Sequence, residues 1–163
     1  MGPRRRAKRR ALALVLFQLE IGLVAVPALG QAQDFYGGIS YDYALVGEGQ
    51  SGLAAYAGVR FGEGALSFGA ELARGFGDGD PFEATRVRGM VWQELGGFGL
   101  FGSLGLSQFD LFGGGVVEGI NLGVGADYGL TDAASLRFEM IVDRVPDYGP
   151  DVTSLRMGVA FGF

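Results

Sequence analysis

The sequence predicts an all-β protein: an eight-stranded antiparallel up-and-down transmembrane β-barrel, preceded by a cleaved signal peptide. Three observations carry this reading. Beyond residue 34 the apolar residues recur with period 2, the period of a strand rather than a helix. The segments that keep this period are about ten residues long, the length a tilted strand needs to cross a bilayer. The connections between them alternate between long and short, as in barrels whose two rims face different compartments.

The chain opens on a basic stretch, with Arg4, Arg5, Arg6, Lys8, Arg9 and Arg10 inside its first ten residues. An apolar run over 11–29 follows, then the small-residue stretch Ala28-Leu29-Gly30-Gln31-Ala32. This order is that of a secretory signal peptide cut after Gly30 or after Ala32. Glu20, Gln18 and Pro27 lie within the run and argue against a membrane-anchor helix. The domain reading is therefore 1–32 signal peptide and 33–163 barrel.

The strands are expected at 35–44, 52–61, 66–75, 85–93, 98–108, 119–128, 134–143 and 152–163. The eighth shows the period best, and the seventh behaves the same way. Ala134, Leu136, Phe138, Met140 and Val142 share one face, and Ser135, Arg137, Glu139, Ile141 and Asp143 the other. The fourth is the least regular: Val87 and Val91 oppose Arg86 and Arg88, but Met90 and Trp92 fall on the polar parity. A bulge at Gly89 would restore that register. The long connections are 45–51, 76–84, 109–118 and 144–151; the short ones are 62–65, 94–97 and 129–133. Both termini of the barrel then fall at the short-turn, periplasmic side.

The polar parity settles which face points inward. It is mostly Gly, Ser and Ala with charges of both signs, which suits a lumen where eight strands leave room only for side chains. The chain has 31 Gly in 163 residues, 28 of them beyond residue 32. The expected luminal charges are Arg60, Arg86, Arg88, Arg137 and Arg156 against Asp42, Glu71, Asp127, Glu139 and Asp143, five against five. Buried charges need partners, so a balanced set is what a plugged interior requires. Arg74 falls on the outer parity near a loop, where it can snorkel.

Beyond residue 32 there are seven basic and 17 acidic residues, a net charge of −10, which disfavours nucleic acid as a partner. The four long loops carry Glu48, Asp78, Asp80, Glu83, Asp110, Glu118, Asp147 and Asp151 against Arg144 alone. Such a rim is either simply solvated or bridged by divalent cations to lipopolysaccharide. Phe35, Tyr43, Phe61, Phe98, Tyr128 and Phe163 lie near strand ends and fit aromatic girdles.

Enzyme chemistry is poorly supplied. The chain has no His and no Cys, which removes imidazole acid–base catalysis, thiolate nucleophiles and most zinc sites. Glu71 and Glu139 form a conceivable carboxylate pair, but arginines are at hand to neutralise them. Gly77-Asp78-Gly79-Asp80-Pro81 lacks the spacing of a calcium loop and reads as a turn. Gly113-Gly114-Gly115 has no following Lys-Ser/Thr and is no phosphate loop. No cofactor and no metal are expected.

Several of these segments resemble the small outer-membrane barrels of the OmpA/OmpX-like and opacity-type families. Phe163 preceded at alternate positions by Phe161, Val159 and Met157 is similar to the C-terminal signal read by the barrel-assembly machinery. Gly125–Asp132 followed by Ser135–Glu139 resembles a strand–turn–strand of those barrels, and 35–41 (FYGGISY) their first strand. The resemblance implies a Gram-negative outer-membrane location, partners in lipid, lipopolysaccharide and the assembly machinery, and a monomer. No segment resembling the peptidoglycan-binding domain of the larger members follows Phe163, so that activity is not expected. The enzymatic outer-membrane barrels resemble one another in needing a histidine. The functional expectation is a non-enzymatic, mainly structural barrel with a side-chain-plugged lumen. Porin-like passage of small solutes or apolar ligands, surface adhesion through the long loops, and a soluble periplasmic binding barrel are the alternatives.

Overall fold

The computed structural model describes residues 33–45, 49–62, 64–76, 83–111, 115–146 and 151–163. The expected signal peptide over 1–32, the segment Gly77–Pro81, Gly113, Gly114, and the loop acids Glu48, Asp78, Asp80 and Asp147 lie outside the described residues. Eight strands follow one another: β1 (Gln33–Ala44), β2 (Gln50–Phe61), β3 (Leu66–Phe76), β4 (Ala84–Leu95), β5 (Phe98–Leu111), β6 (Gly115–Thr131), β7 (Ala134–Arg144) and β8 (Val152–Gly162). Each pairs antiparallel with its neighbours in sequence, and β8 returns to β1, so the sheet closes without an edge.

The register fixes the barrel's dimensions. The directly paired residues Glu118, Gln108, Thr85, Arg74, Ala55, Ile39, Val159, Leu136 and Tyr128 lead once around the wall and back to β6. The path leaves β6 at 118 and returns at 128, a stagger of ten residues. For eight strands that stagger corresponds to a tilt of roughly 40°.

Burial along the strands is inverted relative to a water-soluble protein. The outward residues are large and apolar and lie open: Ile39 is 66% exposed, Leu53 63% and Leu104 63%. The inward residues include Arg88 at 1%, Glu71 at 2% and Asp143 at 0%. The outward band is interrupted near the long-loop ends of β3–β6 by Arg74, Thr85, Gln108 and Glu118, side by side in register. Arg74 Nη1 donates to Thr85 Oγ1 at 2.6 Å. This row marks the upper limit of the apolar surface on that side.

Three sequence expectations are corrected. The predicted loop 109–118 is largely strand, because β5 runs to Leu111 and β6 starts at Gly115. Period 2 simply continues there: Phe109 and Val117 turn inward and pack with Ala84 and Val145. The β5–β6 ladder reaches Leu111↔Gly115, whereas β6 meets β7 only from Ile120↔Arg144. Residues 115–119 therefore stand as part of a two-stranded ribbon above the rim. Second, there is no bulge at Gly89. The β3–β4 and β4–β5 registers run through it unbroken, and Met90 and Trp92 are inward because they belong to the lumen. Third, the predicted turn 129–133 narrows to Asp132-Ala133, with β6 continuing to Thr131 past an irregularity between Gly129 and Thr131. There the Ala133 amide donates to Thr131 Oγ1 at 3.2 Å. In the β4–β5 turn Gly96 takes φ +67°, a region that a side chain disfavours.

Candidate functional site: the filled lumen

Alternate residues of all eight strands point into the lumen, and they fill it in layers. At the long-loop end Ala84, Phe109 and Val145, with Val117 against them, form an apolar cap. The Arg86 guanidinium lies 5.7 Å from the Phe109 ring centre, a cation–π contact just beneath this cap. Arg86 also donates to Asp143 from Nε at 3.1 and 3.2 Å and from Nη2 at 2.7 Å. Ser107 donates to the same carboxylate, and Asn121 Nδ2 donates to Ser107 Oγ at 2.9 Å.

Charges make up the next layer. Arg88 of β4 sits between Glu71 of β3 and Glu139 of β7 and donates to both. Its Nη2 makes a further 3.1 Å contact with Glu139 Oε2. Arg137 of β7 donates to Glu71 at 2.6 Å and grips Asp127 at 2.8 and 3.0 Å. Arg156 of β8 grips Asp42 of β1 at 2.9 and 2.7 Å, and its Nη1 stands 3.6 Å from Glu139. In a ring of eight, β3 and β4 stand across from β7. The Arg88–Glu139 and Arg137–Glu71 pairs are therefore cross-lumen straps that tie opposite walls together.

Toward the short-turn end the filling becomes aromatic. Tyr36, Tyr56, Trp92 and Phe101 cluster with Met90, Ala73 and Ala160. Trp92 meets Tyr36 edge-on at 5.9 Å and Phe101 at 6.3 Å between ring centres. The Arg137 guanidinium lies 5.1, 5.0 and 4.9 Å from the rings of Tyr36, Tyr56 and Phe101, so one side chain joins the ionic and aromatic layers. Tyr36 donates its hydroxyl to Glu71 at 3.0 Å, and Trp92 Nε1 donates to Asp127 at 3.3 Å.

Each of these four rings lies on an inward-facing glycine. Tyr36 lies over Gly58, Tyr56 over Gly38, Trp92 over Gly69 and Phe101 over Gly125. A Cβ on Gly58 would stand 2.5 Å from the Tyr36 ring, and one on Gly69 would stand 2.9 Å from Trp92. Part of the glycine excess is therefore a set of seats that let bulky rings lie flat in a narrow bore.

Nine of the ten predicted luminal charges contact one another in these layers. Arg60 does not. It pairs with Glu94 at 2.7 Å and lies 5.3 Å from the Trp92 ring centre, near the short-turn mouth. Glu94 was missed because the sequence placed it in a turn, whereas β4 continues to Leu95. The aromatic filling was missed: Trp92 was placed on the polar parity, and there it was read as an irregularity of register. Tyr36 and Phe101 share a parity with Gly and Ser, and that is the signal that points to them. Glu71 and Glu139 share Arg88, so the conceivable carboxylate pair is occupied as hydrogen-bond acceptors. Among the described residues no group of three or more acidic side chains is arranged to hold a metal ion.

Met157, Val159, Phe161 and Phe163 lie on the outward parity of β8 and just beyond it; Met157, Phe161 and Phe163 are exposed and Val159 half-buried. Of the expected girdle residues, Phe35, Phe61, Phe98, Tyr128 and Phe163 gather at the short-turn rim. Phe98 and Tyr128 stack there at 5.0 Å. Tyr43 sits at the opposite rim beside Leu155. The short-turn mouth holds a cavity of about 500 Å³ whose walls include Asp34, Arg60, Trp92, Asp127, Asp132 and Arg137.

No family model matches the chain, and no curated protein matches it. Solved structures do. Neisserial surface protein A is 13% identical over 83% of this chain and all of its own, with a TM-score of 0.52. Ail, the attachment invasion locus protein of Yersinia pestis, solved with the heparin analogue sucrose octasulfate, is 13% identical over 80% of this chain and 97% of its own, at 0.55. The N-terminal β-barrel domain of Pseudomonas aeruginosa OprF is 12% identical over 83% and 100%, at 0.56. Designed transmembrane β-barrels also match, at 11% identity and 0.51. The fold is thus that of small eight-stranded transmembrane barrels of the outer-membrane type. A fold that designed proteins also adopt carries no function by itself.

Proposed function

We propose that the protein is a non-enzymatic, monomeric outer-membrane barrel of a Gram-negative bacterium, exported by its N-terminal signal peptide, whose role is mainly structural. The observation that carries this is the inverted burial: large apolar side chains face out, and five buried arginine–carboxylate pairs shorter than 3.0 Å bridge the inside. Lipid and lipopolysaccharide surround the wall, and the alternating Met157, Val159, Phe161 and Phe163 serve the barrel-assembly machinery. Cross-lumen straps and the apolar cap favour a closed bore over porin-like passage. Membrane fractionation with gel mobility before and after boiling tests the reading. A folded barrel stays in the outer-membrane fraction and shifts on heating, and reconstituted protein leaves planar bilayers silent. Recovery from the soluble periplasm, or steady unitary currents, contradicts it.

A second reading, surface contact through the long-loop end, is favoured by the ribbon of residues 110–111 and 115–119, which extends past the last β4–β5 and β6–β7 pairs. Removing 110–118 then abolishes surface attachment and leaves the heat shift intact.

A further inference from the structure

Primary amines are placed unevenly along this chain. Its only lysine is Lys8, inside the expected signal peptide, and the seven cations beyond residue 32 are all arginines. A guanidinium is not a primary amine and stays protonated at neutral pH. Once residues 1–30 or 1–32 are removed, the sole primary amine left is the α-amine of the new first residue.

That residue is the same in kind at either cut. Cleavage after Gly30 exposes Gln31, and cleavage after Ala32 exposes Gln33. A glutamine in first position carries its own electrophile, because its side-chain amide carbon can close a five-membered ring on the α-nitrogen. An α-amine, unlike a lysine ammonium, is partly unprotonated near neutral pH. The nitrogen attacks Cδ, the N–Cδ bond forms and the Cδ–Nε2 bond breaks. The departing amide nitrogen takes one proton from the amine and leaves as ammonia. No oxidant, reductant or co-reactant is needed.

The fold leaves this closure unopposed. β1 starts at Gln33, opposite Phe61, at the short-turn rim. A lactam at Gln33 keeps one N–H and the main-chain carbonyl, so the register is preserved, and Gln31 precedes the strand altogether. The start of β1 is tied to the end of β8 one step further in, where the Phe163 amide donates to the Phe35 carbonyl at 2.9 Å. The neighbouring carboxylate, Asp34, is exposed, and an exposed acid does little to keep an ammonium beside it protonated.

We propose that the exported chain begins with pyroglutamate, formed from Gln31 or Gln33, and so contains no primary amine at all. This rests on the signal-peptide reading under Proposed function. The short-turn rim is then without the positive charge of a free chain start. Aminopeptidases, which need a free α-amine, have no hold on the strand that closes the barrel.

Membranes holding the protein are dissolved directly in denaturant, so that closure during purification does not count. An amine-reactive dye then measures amines per chain, and mass spectrometry reads the tryptic peptide ending at Arg60. The expected peptide starts at 31 or 33 and is lighter by one ammonia than its free-glutamine form. The expected dye uptake is at least tenfold below that of the double variant Gln31→Ala, Gln33→Ala, which keeps one α-amine per chain wherever in 30–32 it is cut. Pyroglutamyl aminopeptidase restores one dye per wild-type chain. A chain cut after Gly30 or Ala32 that takes one dye and carries an open glutamine overturns the proposal and leaves the signal peptide standing. So does a cut that exposes any other residue. A chain that keeps its leader, and takes dye at both Met1 and Lys8, overturns the signal-peptide reading together with it.

Discussion

The middle of the lumen and its short-turn end hold the same walls apart by different means. In the middle, guanidinium and carboxylate groups reach across the bore: Arg88 to Glu139, and Arg137 to Glu71. At the short-turn end, rings lie along the wall and fill the bore by area. They rest on Gly38, Gly58, Gly69 and Gly125. The first arrangement depends on electrostatic partnership in a region closed to water, and the second on shape. A strap fails when one partner is lost, because the other is left as a buried charge. An aromatic layer fails when a seat is filled or a ring removed, and its neighbours relax around the change. Arg137 belongs to both, and is the point where damage to one region reaches the other.

The largest effect expected is from Arg88→Met. Arg137 still reaches Glu71, but Glu139 keeps no short ion pair, only the 3.3 Å hydrogen bond from Ser103 Oγ and the 3.6 Å approach of Arg156 Nη1. Breaking a buried pair from one side costs about 3–5 kcal/mol, and the surviving contacts place this case near 3. Urea unfolding of the barrel in detergent, followed by gel mobility, measures it. The triple substitution Glu71→Gln, Arg88→Met, Glu139→Gln recovers most of the loss, because no unpaired charge remains. If the single change costs under about 1 kcal/mol, water reaches the straps and the contrast between the two regions disappears.

A middle-sized effect is expected at the ring seats. A Cβ on Gly58 meets Tyr36 Cζ and Oη at 2.5 Å and the Ala70 carbonyl at 2.6 Å. Gly58→Ala therefore overpacks and costs about 1–3 kcal/mol. Tyr36→Leu relieves the ring contact but not the carbonyl, so rescue is partial. The two changes couple in a double-mutant cycle by about 0.5–3 kcal/mol. Strict additivity would mean that the glycine serves the backbone alone, and the seat would lose its meaning.

How far the sequence reveals these two regions differs for the same physical reasons. Charge is conspicuous: Glu71, Arg88, Arg137 and Glu139 announce themselves by parity and by the balance of signs. What parity does not say is which arginine reaches which acid, because that depends on the ten-residue stagger of closure. Arg60 and Glu94 illustrate this, meeting at the mouth although the sequence assigned one to the lumen and the other to a turn. The aromatic layer was hidden because Tyr36, Trp92 and Phe101 look like strand formers on either face, and Trp92 looked like a register fault. The cue was the companion glycine: Tyr36↔Gly58, Gly38↔Tyr56 and Phe101↔Gly125 are direct cross-strand pairs. Eight strands and their order were legible because period 2 and turn spacing are local. The ribbon of β5 and β6 was not, since glycines 113–115 obscured a period that continued on both sides.

The smallest effect is expected at the mouth, with Arg60→Gln. Its pair with Glu94 has the short 2.7 Å geometry of the straps, but the side chains are 25% and 39% exposed. Water then replaces much of what the partner supplies, so the loss in unfolding free energy stays below about 1 kcal/mol. The position still matters to the ring beneath it, because Arg60 lies 5.3 Å from the Trp92 centre. Its removal admits solvent to that face and shifts tryptophan emission to longer wavelength with little change in stability. A loss as large as that of Arg88→Met would extend the strap principle to the mouth and leave the aromatic layer as filling between two ionic clasps.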